Sequence, residues 1–229
     1  MTHMHIPDGV LPVSLWVLGL ILMAFAVGCS LFRLRKMDKV KKIPLLGAVS
    51  AVMLVAMSLE ILPLAYHINL SVVAGILLGP ALGFLAAFIA NLILALMGHG
   101  GITVIGLNTL LLGSEAVLGH TLFYLFKNRL SVFWSAATAT VLTLFLTTLA
   151  LIGIVAVSHI SPELIRHGDE HGFLHDGQVS VQTFAVMAVS LGSIGWIIEA
   201  AITGAVIRFI SQVKPSLLDH ALHRERNDR

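Results

Sequence analysis

Long apolar stretches, separated by short polar or basic segments, dominate this chain of 229 residues. The first stretch covers residues 11–32 without a charge, and others follow at about 43–66, 103–126, 131–157 and 181–212. Each is long enough to cross a hydrocarbon core of roughly 30 Å at about 1.5 Å per residue of α-helix. Together they predict an all-α integral membrane protein.

The apolar stretch from Ile68 to Met97 contains Gly79-Pro80 near its centre. Proline ends a helix and glycine allows a turn, so this pair predicts two short helices, at about 69–79 and 81–97. Both are marginal in length, and we expect neighbouring helices to shield one or both from lipid. The full prediction is a seven-helix bundle with short helices around Gly79-Pro80.

Basic residues set the expected orientation of the bundle. Six positive charges in residues 33–42 place that loop in the cytoplasm and the N-terminus outside, by the positive-inside rule. Two crossings between residues 68 and 97 also place the later basic groups in the cytoplasm, whereas one crossing would place them outside. We therefore expect a cytoplasmic C-terminus, with a single membrane domain at 1–213 and a polar cytoplasmic tail at 214–229.

The composition narrows the possible functions. The chain is 57% hydrophobic and 11% charged, against about 25% charged in soluble domains. A net charge of +2 over so few ionisable groups argues against a nucleic-acid-binding surface. The single cysteine, Cys29, cannot form an internal disulfide. Eleven histidines beside twelve acidic residues are many for a membrane protein, so their positions matter.

Two histidines, His3 and His5, lie near the N-terminus on the expected outer side. A terminal amine, a deprotonated backbone amide and an imidazole form fused chelate rings, and such nitrogen sets favour the tetragonal plane preferred by Ni(II) and Cu(II). Pro7-Asp8-Gly9 predicts an ordered turn beside the first helix. The alternative is an irregular start of the chain or part of an expression tag.

His67 and His99 extend this outer cluster. His67 is expected to end the second span, where a lone histidine is commonly an interfacial or packing residue. Beside an N-terminal chelate, however, His67 is the natural fourth nitrogen. His99 stands among glycines in the next outer turn, where the missing side chains allow close backbone approach.

Motifs along nearly the whole chain resemble one family. They are Met4-His5-Ile6-Pro7-Asp8-Gly9, His67-Ile68-Asn69-Leu70, Gly75-Ile76-Leu77-Leu78-Gly79-Pro80, His99-Gly100-Gly101-Ile102-Thr103, Gly106, Asn108-Thr109, Trp196-Ile197-Ile198-Glu199-Ala200 and Thr203-Gly204. The chain resembles the nickel/cobalt-specific substrate-binding membrane components, or S components, of energy-coupling factor transporters (the NikM/CbiM family).

The resemblance implies a substrate-capture subunit of an ATP-driven uptake transporter in the plasma membrane of a prokaryote. The transported substrate would be Ni(II), with Co(II) as the alternative, and no organic cofactor is expected. The implied partners are a membrane coupling subunit, ATPase subunits and a small accessory membrane subunit. A nucleic-acid partner is not expected.

The resemblance also implies a planar site of four nitrogen atoms for one divalent ion. Carried onto this chain, the ligands are Met4, His5 and His67. The supporting residues predicted around them are Asp8, His99 and Asn108.

The start of the chain departs from the family pattern, in which the methionine–histidine pair is the N-terminus itself. Three residues precede Met4 here, and Met4 has a free amine only in a chain that begins with it. In an alternative register, Met1, Thr2 and His3 supply all four nitrogens without His67. We favour the Met4 register because the predicted turn follows directly.

Other polar groups permit further interpretations. The outer loop at 158–180 contains His167, His171 and His175, for which we expect weak capture of the cation near the entrance. A solvated polar loop is the alternative.

Ionisable residues within the predicted spans should face the bundle interior. These are Glu60, Glu115, His120 and Glu199. Two pairs of small residues, Gly47 with Ala51 and Ala200 with Gly204, permit close helix approach, either internally or to the coupling subunit.

Two other functions remain open, an ion-coupled secondary metal transporter and a membrane metalloenzyme. The first would be supported by inverted repeats, which the sequence does not show. The second lacks a His-Glu-x-x-His motif, and a four-nitrogen plane leaves no position in that plane for an activated water. A phosphate-binding loop is also missing, so we expect a transport subunit, not an enzyme, with ATP hydrolysis in partner subunits.

Overall fold

The computed structural model describes residues 11–37, 39–61, 66–98, 100–165 and 181–218 of the chain. The α-helices in these ranges are α1 (Val13–Arg35), α2 (Lys39–Ser58), α3 (Ser71–Leu78), α4 (Pro80–Leu96), α5 (Ile105–Phe126), α6 (Val132–Ile165) and α7 (Val181–Val213). Two short antiparallel strands, β1 (Glu60–Ile61) and β2 (Tyr66–His67), lie between α2 and α3. The predicted all-α architecture is confirmed.

Four of these helices, α1, α5, α6 and α7, are long and apolar enough to cross a membrane. Shorter apolar helices cover Lys42–Ser58 and Pro80–Leu96. Many large apolar side chains on the helices are exposed, as expected for a surface that faces lipid rather than water. Length, composition and surface together indicate a multi-pass membrane protein.

The break at Gly79-Pro80 separates α3 from α4 as predicted. Gly79 has φ +82°, a conformation that favours glycine, and Pro80 begins α4, where its missing N–H breaks no helical hydrogen bond. All eight residues of α3 are buried. A helix of eight residues is only about 12 Å long, so it cannot cross the membrane alone and is enclosed by its neighbours.

The second helix is shorter than the sequence predicted. We expected a span to Tyr66, but α2 ends at Ser58 and the chain continues into β1 and β2. A helix reaching Tyr66 would have contained Pro63 in its interior, where proline removes a helical hydrogen bond. The placement of Glu60 inside a span and of His67 at a helix end was therefore wrong, since both lie on strands.

The sixth helix is longer than predicted. α6 continues to Ile165, whereas the sequence indicated a loop from residue 158. The seventh helix ends at Val213, two residues before Pro215, in agreement with the predicted stop.

Helix α5 is central, because it packs against α1, α3, α4 and α6. Two of these contacts are backbone to backbone. A β-carbon added at Gly75 of α3 would lie 1.9 Å from the carbonyl oxygen of Ala116. One added at Gly106 of α5 would lie 2.5 Å from the backbone of Gly19 and Leu20 in α1. Glycine at these positions lets α1 and α3 lie directly on α5.

The two pairs of small residues have different surroundings. A β-carbon at Gly204 would lie 2.8 Å from the ring of Phe133, so this face of α7 packs internally against α6. Gly47 of α2 has no atom within 4 Å of such a position, and both Gly47 and Ala51 are exposed. Within the described residues, internal packing therefore accounts for the pair on α7 but not for the pair on α2.

The basic connections lie at one end of the bundle. Leu77, Phe123 and Leu218 belong to one buried cluster, which joins the ends of α3 and α5 to the chain after α7. Gly19, in the second turn of α1, lies against Gly106 at the start of α5, so these two helices begin at the same end of the bundle. Helices α1, α3, α5 and α7 therefore end on the same side. The basic residues on that side include Arg33, Arg35, Lys36, Lys127, Arg129 and Lys214.

Replacing Gly75 by alanine should destabilise the bundle. The new methyl group would overlap the carbonyl oxygen of Ala116, and backbone within a packed helix cannot move aside easily. We expect Gly75→Ala to lower the free energy of unfolding by about 1–3 kcal/mol, measured by thermal unfolding in detergent. Gly47→Ala is the matched control, because no neighbouring atom opposes its methyl group. Equal unfolding midpoints for the two variants would contradict the close contact.

Candidate metal centre

Two of the residues predicted to bind or support a metal ion, His67 and Asn108, lie in the described part of the chain. The other predicted site residues lie outside it: Met1, Thr2, His3, Met4, His5, Asp8, His99, His167, His171 and His175. Among the residues that are described, no three His, Cys, Asp or Glu side chains converge to hold a metal ion. The geometry available is that of the surroundings of His67 and Asn108.

His67 is half-buried and lies where a short strand leads into the buried helix α3. The ladder between β1 and β2 pairs it with Glu60 and so restrains its backbone on the N-terminal side. Three residues without regular structure follow, and α3 then begins at Ser71. The position of His67 therefore depends on two restraints: the pairing of β2 with β1, and the contacts that hold residues 68–70 in place.

The anchor is Asn69, which is only 2% exposed. Its backbone N–H donates to Oε1 of Glu199 on α7 at 2.8 Å, and its side-chain amide donates to Oε2 of Glu115 on α5. Its Oδ1 accepts from the backbone N–H of Ser71 at 2.8 Å and also from the Ser71 hydroxyl. The bond from the Ser71 N–H closes an asparagine turn, and it gives an acceptor to an N–H group in the first turn of α3 that has no partner within the helix. Asn69 thus joins three helices, α3 and α5 through its side chain and α7 through its backbone N–H.

The two carboxylates are buried in the bundle. Glu115 is 4% exposed and Glu199 is 1% exposed. The Thr147 hydroxyl of α6 lies 3.1 Å from the Oε1 of Glu115 and can donate to it, so a fourth helix enters the same network. The carbonyl oxygens of Thr143 and Leu144 on its own helix are alternative acceptors, at 3.1 and 3.2 Å. Burying a carboxylate in a medium of low dielectric constant is costly unless donors surround it. The expectation that these ionisable groups face the bundle interior is confirmed.

Asn108 is buried on the first turns of α5. Its neighbour Thr109 accepts a hydrogen bond at 2.8 Å from the side-chain amide of Asn91 on α4. Asn91 also donates to the carbonyl oxygen of Ile105 at 3.3 Å. Asparagine therefore ties α4 to α5 here, and the supporting role of Asn108 at a metal site stays a prediction.

His120 belongs to a different contact, further along α5. Its Nδ1 lies 3.0 Å from the carbonyl oxygen of Gly75, to which the ring N–H donates. The imidazole also packs on the ring of Tyr124, with centroids 4.6 Å apart, and the Tyr124 hydroxyl donates to the carbonyl oxygen of Leu218 at 3.0 Å. His120 fastens α3 to α5 and is accounted for without a metal ion.

The sequence indicated part of this arrangement. It singled out Glu115 and Glu199 as carboxylates at membrane depth, but it assigned no role to Asn69 or Thr147. Their signal was weak, because threonine and asparagine are common in helices and turns of membrane proteins. The position of Asn69 two residues after His67, before an apolar helix, was the available clue.

A comparison of the whole chain with known protein families identifies the family to which it belongs. Residues 5–217 match the CbiM family, described as the cobalt uptake substrate-specific transmembrane region. The chain belongs to this family. The CbiM family is one of transport components, so the chain is not an enzyme, and it fits the expected S component of an energy-coupling factor transporter.

Relatives and a solved structure agree with this assignment. A protein of Methanococcus voltae that carries the name cobalt transport protein CbiM is 26% identical over 94% of this chain and 95% of its own length. One of Archaeoglobus fulgidus, named as a fused nickel transport protein NikMN, is 29% identical over 94% of this chain and 68% of its own. The crystal structure of a transition metal transporter superposes with a TM-score of 0.78 at 21% identity, covering 95% of this chain and 98% of that one, and shows the same fold. The chain is thus a multi-pass membrane protein of prokaryotic type, as predicted.

Removing the Thr147 hydroxyl should destabilise the buried network. Thr147→Val keeps the shape of the side chain but leaves the Oε1 of Glu115 without that donor. We expect the free energy of unfolding to fall by about 1–3 kcal/mol, measured by thermal unfolding in detergent. Thr140→Val on the same helix is the control, since the buried Thr140 hydroxyl bonds the Ala136 carbonyl within its own helix. A loss no larger than that of the control would argue against stabilisation of Glu115 by Thr147.

Proposed function

We propose that this member of the CbiM family is the substrate-binding component of an ATP-driven Ni(II) uptake transporter. It binds one ion in a plane of four nitrogen atoms from the amine of Met4, the amide and imidazole of His5, and the imidazole of His67. Co(II) is the alternative substrate. The observation that carries the proposal is the placement of His67 at a restrained junction between β2 and a fully buried helix, within a chain that belongs to a metal-uptake family.

The chemistry of the ligand set favours nickel. Tetragonal nitrogen coordination suits Ni(II), and a strong planar field favours its low-spin form. The deprotonated amide carries one negative charge, so the bound ion and its ligands have a net charge of +1. Such a complex is easier to desolvate than the free dication, which suits a half-buried position such as that of His67.

The distribution of basic residues supports an orientation with the N-terminus outside. The connections that hold Arg35, Lys127 and Lys214 lie at one end of the bundle, and the positive-inside rule places that end in the cytoplasm. β2 and the start of α3 then lie toward the outer side. The ion would be captured from outside, as an uptake system requires.

Energy for transport would come from partner subunits. The chain contains no phosphate-binding loop, so ATP hydrolysis belongs to separate ATPases that act through a membrane coupling subunit. A small accessory membrane subunit completes the proposed complex. The fused Archaeoglobus fulgidus relative supports association with a further component, because this chain matches 68% of its length.

The proposed site predicts a visible absorption band that depends on His67. A protein that begins at Met4 should bind one Ni(II) and show the band of a planar nickel–nitrogen complex. His67→Ala should remove that band, because the plane then lacks its fourth nitrogen. The measurement is a Ni(II) titration in detergent, followed by absorption and by metal analysis.

Two controls complete this titration. His120→Asn also removes a histidine, but its amide can replace the hydrogen bond to Gly75, so the band should remain. A protein that begins at Met1 should bind through Met1, Thr2 and His3 without dependence on His67, or should lack the planar form. If it binds one ion tightly and still requires His67, the Met4 register is wrong.

ATP dependence separates this function from an ion-coupled carrier. Cells that express the chain with its coupling and ATPase subunits should accumulate radioactive nickel, and inactivation of the ATPase should reduce accumulation to background. Uptake that persists with an inactive ATPase, but stops when the ion gradient is dissipated, would favour a secondary transporter. The matched control is His67→Ala with an active ATPase, which should also fall to background.

A further inference from the structure

We infer that Glu115 and Glu199 are positioning residues for metal binding, which act on His67 through Asn69. The inference rests on the proposed function, because it concerns the same planar site. It assigns a role to two buried carboxylates on α5 and α7 that do not themselves touch the ion. The chemistry of the four nitrogens does not by itself require these carboxylates.

The first step of the argument is that Asn69 is held from every side. Its backbone N–H binds Glu199, its amide N–H binds Glu115, and its Oδ1 accepts two hydrogen bonds from Ser71. Both lone pairs of that oxygen are in use. The side chain and the peptide plane before it therefore have one orientation, which the positions of α5 and α7 determine.

The second step is that this restraint reaches His67. Only Ile68 separates His67 from Asn69, and no helix or strand includes Ile68 or Asn69. The N–H bound by Glu199 belongs to the peptide group that links Ile68 to Asn69, so the restraint starts one residue from the histidine. On the other side, the ladder to Glu60 holds the backbone of His67. The histidine backbone is thus fixed at both ends over a very short distance.

The third step is that a planar site needs such a restraint. Three of the four proposed nitrogens belong to one continuous chelate at the start of the chain, and their geometry follows from covalent bonds. The fourth, on His67, comes from a distant part of the sequence and can be placed only by tertiary structure. Residues that orient a metal ligand typically change metal affinity by about 10–100-fold when they are replaced.

Two kinds of substitution separate positioning from charge. Glu→Gln keeps an acceptor oxygen at the same distance from the backbone but removes the negative charge. Glu→Asp keeps the charge but withdraws the acceptor by one methylene group, about 1.5 Å. At Glu199, positioning predicts a larger loss for Glu199→Asp than for Glu199→Gln, whereas attraction between carboxylate and metal predicts the reverse order. The same pair of variants applies to Glu115.

The experiment is a Ni(II) titration of proteins that begin at Met4, with the dissociation constant and the planar absorption band as readouts. We expect Asn69→Ala and Glu199→Asp to raise the dissociation constant by about 10–100-fold and to weaken or shift the band. Glu199→Gln should bind at least threefold more tightly than Glu199→Asp. The control is Asn91→Ala, another buried asparagine, which binds Thr109 and Ile105 instead of the segment after His67. Its dissociation constant should stay within threefold of the unchanged protein.

Each remaining outcome has a definite meaning. If Asn69→Ala and Glu199→Asp lower thermal stability but bind nickel like Asn91→Ala, the network is only structural and the inference is wrong. If Gln variants bind more weakly than Asp variants, charge and not position is responsible, and the inference is again wrong. Should Asn69→Ala not fold, the Gln and Asp pairs at Glu115 and Glu199 decide the matter. A wild-type protein without a band that depends on His67 would instead refute the proposed site itself.

Discussion

The hydrogen bonds from Asn69 to two buried carboxylates are the constraint on which the arrangement of the bundle depends. No water is available inside a membrane to solvate Glu115 and Glu199, so each must find donors within the protein. Asn69 supplies a donor to each, and Thr147 supplies another to Glu115. Because these groups belong to different helices, the rotation of α5, α6 and α7 about their axes is coupled to the start of α3.

Close backbone contacts make this polar network possible. Helix α3 is short and fully buried, and Gly75 lets it lie directly against Ala116 of α5. That contact brings Asn69, before the first turn of α3, within reach of Glu115, which directly precedes Ala116 on α5. A larger side chain at Gly75 would separate the two helices and lengthen the hydrogen bonds. The hydrogen bonds of the buried polar groups therefore depend on the close packing of α3 against α5.

For a chain of the CbiM family, this arrangement bears directly on function. Uptake of a metal ion needs a site that is firm enough to select the ion and is still reached from outside. In the proposed site and orientation, His67 would satisfy both conditions, because it is half-buried while the residue two positions later is anchored in the core. The same helices that bury Glu115 and Glu199 also form the wall of the bundle toward lipid, so ligand placement and membrane embedding depend on the same packing.

The sequence by itself determined the helical class, the break at Gly79-Pro80 and the family motifs, because hydrophobic length and proline chemistry are local properties. It also indicated that Glu115 and Glu199 are buried, since charged groups at membrane depth must face inward, but it wrongly placed Glu60 within a span. It did not predict the end of α2 at Ser58 or the strand that holds His67, because strand pairing joins residues that are separate in the chain. Only the tertiary structure decided that Asn69 meets both Glu115 and Glu199, since helix rotation and register depend on packing among all neighbours at once.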